Sequence, residues 1–238
     1  MDHVYKSSLP ASAQLLVDRI EETAGQEVQV IVDPTRYVSP TDPNPTRPEL
    51  SLSHGKAHIY LPTPYFEPNG IVHELLHIER TWLDGIPQMV PMDENNEDHW
   101  IITSSIDNDL EHLIIVPREA IHGFNPYSYW AKTHRILWRR YPWPEVNEPF
   151  ARRKNLLTGS VAAFNLTKDA EVISLVRECL SKEGMLKEAL LFNKRITDVL
   201  HSKEKMLRLT VEHLGIPKSD VRLLYIDIRG QQVRYSAL

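Results

Sequence analysis

The segment His73-Glu74-Leu75-Leu76-His77 constrains this chain more than any other. Two histidines four residues apart meet only where the segment is helical, because one helical turn then brings both imidazoles to the same face. The neighbouring residues agree with that. Ile71, Leu75, Ile78 and Trp82 follow the i, i+4, i+7, i+11 spacing of a core-facing stripe, and His73 and His77 project from nearly the opposite side. Asn69-Gly70 precedes the stripe, and Asp84-Gly85 with Pro87 closes it, so a helix is expected from about residue 69 to Leu83.

Paired imidazoles at this spacing suit one zinc ion, which accepts neutral nitrogen at ~2.0–2.1 Å. Glu74 is turned about 100° from His73 on a helix. From there it can take a proton from water at such an ion and later return it to a leaving amine. A catalytic zinc needs a third protein ligand and an open fourth position. The run Asp107-Asn108-Asp109-Leu110-Glu111-His112 offers one, on a helix expected over about 97–116 and ending at Pro117. Its core stripe is Ile102, Ile106, Leu110, Leu113 and Ile114. Glu111 is the expected third ligand, with His112 and Asp107 as the alternatives. Asp107, Asn108 and His112 are also placed to hold a liganding imidazole in its tautomer.

The motif helix, the proline-rich hairpin before it and the acidic helix after it resemble zincin metallopeptidases. A glutamate as third ligand resembles the gluzincin type. Among small versions the chain is distantly similar to the ImmA/IrrE family, with Asn108 and Ile114-Ile115-Val116-Pro117 matching the end of that family's second-helix pattern in spacing. It departs at Ile106, where the pattern carries a glutamate. The resemblance covers roughly residues 50–120. It implies a single-zinc, α+β peptidase domain in which Ala57–Leu61 is an edge strand above the metal, able to receive a substrate peptide as an added strand. His58 and Tyr60 share one face of that strand and are expected to be ordinary half-exposed residues rather than oxyanion donors.

The rest of the chain sets the frame. Leu50–Ser53 and Ala57–Leu61 flank His54-Gly55-Lys56 as a hairpin, and eight of the seventeen prolines fall within residues 34–68, which favours a sheet edge. Residues 9–24 read as an amphipathic helix opened by Pro10 and closed by Gly25, followed by a strand over Val28–Val32. Further helices are expected over about 168–182, 185–201 and 203–214, with a terminal hairpin around Arg229-Gly230. Up to residue 120 there are seven basic and twenty acidic residues, a net −13, while the remainder carries +8. The expected division is therefore a zincin-like catalytic domain over 1–125 and a mainly helical basic region over 126–238. That second region is expected to recognise a particular protein or be regulated by one.

One cysteine, Cys179, excludes an internal disulfide and a deaminase-type Cys-x-x-Cys zinc site; its apolar neighbours make it a buried thiol. The absence of a long apolar run argues against a membrane span. The N-terminal residues lack the order of a secretion signal, so the cytoplasm is the expected compartment. Arg139-Arg140 and Arg152-Arg153-Lys154 among Trp138, Tyr141, Trp143 and Phe150 offer a nucleic-acid surface, which Glu145 and Glu148 dilute. The expected function is hydrolysis of a peptide bond in a specific intracellular protein. The alternatives are a non-catalytic zinc-containing sensor or scaffold contacting protein or nucleic acid, and a zinc hydrolase of a non-peptide amide or ester.

Overall fold

A computed structural model describes residues 1–36, 48–53, 56–144, 146, 148–228 and 232–238. The hairpin turn at His54-Gly55, the turn at Arg229-Gly230, the centre of the proline-rich stretch and Glu145 lie outside the described residues. Among the described residues the architecture is α+β, with nine α-helices and two three-stranded sheets. In chain order these are α1 (His3–Ser8), α2 (Ala11–Ala24), β1 (Gln29–Val32), β2 (Glu49–Ser53), β3 (Lys56–Leu61), α3 (Pro68–Ile78), β4 (Gln88–Pro91), α4 (Glu97–Glu119), α5 (Pro126–Arg139), α6 (Pro149–Leu166), α7 (Ala170–Lys182), α8 (Leu186–Asp198), α9 (Lys203–Leu214), β5 (Val221–Asp227) and β6 (Gln232–Ala237). None of the described helices is long and apolar enough to cross a membrane.

The residues group into two compact units, 1–86 with 117–125 and 225–234, and 87–116 with 126–224 and 235–238. The chain thus passes between units several times. In the first unit, α2 buries Ala13, Leu16, Val17 and Ile20 and ends at Gly25, whose φ of 67° is the left-handed value that stops a helix without a Cβ penalty. The sheet beside it has the order β1-β3-β2. β3 pairs in parallel with β1 (Gln29 opposite His58 to Val32 opposite Leu61) and antiparallel with β2 (Glu49 opposite Tyr60 to Ser53 opposite Lys56). The strand expected at the edge is therefore central. Both of its rows of backbone groups are taken, and no substrate strand can add to it. Its alternation buries Ala57, Ile59 and Leu61 and leaves His58 and Tyr60 half-exposed, with the Arg36 guanidinium over the Tyr60 ring.

Helix α3 starts with Pro68 in its first turn, where a missing N–H costs nothing. It buries Ile71, Val72, Leu75, Leu76 and Ile78. Gly70 fits where a larger residue would not, since a Cβ there would lie 2.7 Å from the Pro48 ring, just before β2. The motif helix is shorter than its apolar stripe implies. After Ile78 the chain widens into a π-helical turn over Glu79–Leu83, with Asp84 N–H bonding the Glu79 carbonyl, while Trp82 stays buried.

In the second unit, β4 pairs antiparallel with β5, from Gln88 opposite Leu224 to Pro91 opposite Val221. Helix α6 had no amphipathic signal because it is buried on most sides, with Leu156, Leu157, Thr158, Ser160, Val161, Ala162, Ala163 and Leu166 all inaccessible. Helices α5, α7 and α8 pack around it. α4 runs past Pro117 rather than stopping there.

Candidate metal centre

His73 and His77 stand one turn apart on α3, with ring centroids 5.1 Å apart and planes at 77°. Both rings are half-buried. Glu74, between the two α3 histidines, is 8% exposed.

Glu119 supplies what fixes the first histidine. Its carboxylate, 1% exposed, lies 2.9 Å from His73 Nδ1. A carboxylate there requires Nδ1 to carry the proton, which leaves Nε2 as the ligand atom. Among the described residues the second oxygen, Oε2, is buried with no hydrogen-bond partner. A buried anion with an orphaned oxygen is costly unless positive charge lies close by, and a metal ion held by His73 would supply it. Imidazole nitrogens with a buried counter-charge would fit a divalent metal ion.

Residues beyond Pro117 make this arrangement. Proline cannot donate within the helix, yet the last turn is held from other directions. Arg118 Nη1 reaches Glu79 (3.4 Å) and Asp84 (3.3 Å), and the Phe124 N–H bonds the Glu119 carbonyl. Replacing Glu119 with glutamine is expected to weaken metal binding about 10–100-fold, the usual cost of losing such a carboxylate. Competition with a chromophoric chelator measures it, and unchanged affinity would remove the orienting role.

The acidic residues of α4 that could serve a metal each meet a partner within their own unit. Glu111 Oε2 lies 2.9 Å from Lys203 Nζ on α9, and both side chains are nearly inaccessible. Asp107 Oδ2 meets the same ammonium at 2.9 Å, and its Oδ1 accepts the Met89 N–H at 2.8 Å. Asp107 therefore anchors β4 rather than an imidazole. Burial pushes its carboxyl above the ordinary value despite the pull of Lys203. Asn108 is exposed. Asp109 accepts from Thr158 Oγ1 at 2.7 Å and is likewise raised by burial. Glu119, two residues past Pro117, is the carboxylate on His73, and the acidic run singled out in the sequence does not include it.

In the aromatic and basic stretch, Trp138 and Trp143 are buried against each other, while Arg139 and Arg140 are exposed. Arg135 pairs with Asp169 and Glu171, Arg139 with Glu171, and Arg153 with Glu188. Cys179 is buried, and its thiol is pushed up by that burial. Comparison with known protein families, curated proteins and solved structures finds no match.

Proposed function

We propose that this chain is a metal-dependent hydrolase of peptide bonds, with His73 and His77 holding one zinc ion and Glu74 acting as base and then acid. The observation that carries this reading is the pair of imidazoles one turn apart on α3, with Glu74 between them and the buried Glu119 carboxylate on His73. When bound, the ion supplies Lewis acidity, which acidifies water and polarises a carbonyl oxygen.

The chain's own groups do the rest. Glu119 holds His73 in the tautomer that leaves Nε2 available. Glu74 accepts the proton of the attacking water as its oxygen bonds the carbonyl carbon. It then gives that proton to the amine nitrogen as the C–N bond breaks. The zincin-like reading of the domain rests on this helix-borne motif, and the central position of β3 removes the docking strand that the resemblance implied.

Glu74→Gln tests the assignment. The variant is expected to keep one zinc per chain and to lose turnover by about 100-fold or more, followed by mass spectrometry of a peptide library. A wild-type protein that cuts none of the library, or a variant that cuts as fast, would leave the metal as a structural or sensing element.

A further inference from the structure

We propose that Ser12 and His122 form a second hydrolytic centre, one that uses no metal and moves a short acyl group from an ester to Ser12 and on to water. His122 Nδ1 lies 3.0 Å from the Ser12 hydroxyl, which donates to it when the ring proton is on Nε2. A nucleophile and a base within hydrogen-bond reach are the core of covalent acyl transfer. Both side chains are half-buried and line one cavity of about 350 Å³, near the lower end of the range for small-molecule sites. The residues lining it all belong to the first unit.

His122 ends the 3₁₀ turn Ala120–His122, and Gly123, at φ 86°, takes the left-handed conformation that lets the chain turn there. Burial lowers the imidazole below its ordinary value, against the opposite pull of Glu79, whose carboxylate lines the same cavity. The ring is therefore neutral at physiological pH and able to take a proton. Glu79, also engaged with Arg19 and Arg118, favours the imidazolium once it forms. Pro10 gives α2 no side-chain cap, and the first N–H groups of a helix lack partners within it, so the Ser12 N–H is placed to meet an oxyanion on the carbon its own Oγ attacks. Buried Leu16 and Leu76 with exposed Leu15 and Ile121 make the rest of the wall apolar, which suits an aliphatic acyl chain.

Water is the one co-reactant required. His122 Nδ1 takes the hydroxyl proton as Ser12 Oγ bonds the ester carbonyl carbon, and that proton passes to the alcohol oxygen as the C–O bond breaks. Water then attacks the acyl-serine. His122 takes its proton and returns it to Ser12 Oγ as the acid leaves.

Wild type, Ser12→Ala and His122→Gln are treated with a fluorophosphonate and assayed on p-nitrophenyl butyrate, each with and without a zinc chelator. Peptide mass mapping of wild type is expected to place the label on Ser12. Hydrolysis should fall by at least about 100-fold in both variants, and the chelator should change neither readout in wild type. Glutamine can keep a hydrogen bond to Ser12 but takes no proton from it, so a pair that only ties α2 to the turn would leave wild type unlabelled or His122→Gln as active as wild type. Either result would overturn the proposal and spare the metal site. Ester hydrolysis that disappears with the zinc while Ser12 stays unlabelled would assign it to the metal centre and overturn the proposal as well.

Discussion

Under the proposed function, replacing His77 with alanine should abolish metal binding, whereas Glu111→Gln should leave it nearly intact. The binding free energy of a zinc site, ~10–16 kcal/mol spread over its ligands, makes each donor worth about 3–4 kcal/mol. That corresponds to a ~10²–10³-fold loss of affinity for His77→Ala, with a similar loss for His73→Ala. Glu111 is engaged with Lys203. Its amide variant should hold zinc within about threefold. Metal content after dialysis, together with chelator competition, measures both. Zinc retained by His77→Ala would remove the assignment, and zinc lost by Glu111→Gln would restore the glutamate ligand that the acidic run first suggested.

The partners of the α4 carboxylates show where local pattern stops being informative. The His73–His77 pair is legible because its four-residue spacing is a property of one helix, as are the Pro10 and Gly25 boundaries of α2. What each acid of α4 meets is a property of tertiary packing, settled for Glu111 and Asp107 by Lys203, more than ninety positions later. The same reasoning covers the missed elements. β4 is four residues long and is a strand because β5 pairs with it from over a hundred residues away. α6 shows no period because its neighbours bury most of its circumference. α4 outlasts Pro117 because Arg118 and Glu119 find partners in and around α3. In each case distant contacts outweigh the local preference.

Lys203→Met is expected to destabilise the fold by about 3–5 kcal/mol, the range for stripping one partner from a buried ionic group. Lys203 is 5% exposed, and its ammonium serves both Asp107 and Glu111 at 2.9 Å. Methionine matches the length of the stem, so the loss is one of charge. The pH dependence separates this from a packing defect. Burial already holds the Asp107 carboxyl above its ordinary value with Lys203 present, and removing the ammonium raises it further. A carboxyl raised in the folded state contributes stability below its unfolded value of ~3.9 and loses it as pH climbs through the folded one. Lys203 itself is raised, so its contribution in wild type is constant at neutral pH and fades only in strong alkali. The deficit of Lys203→Met should therefore widen from pH 5 to pH 8, read as the separation between denaturant midpoints at equal slope. Adding Asp107→Asn and Glu111→Gln should recover part of it at pH 8 and little at pH 5. A deficit independent of pH, or below about 1 kcal/mol, would mean that water reaches the two carboxylates and that Lys203 does not pin this stretch of α4.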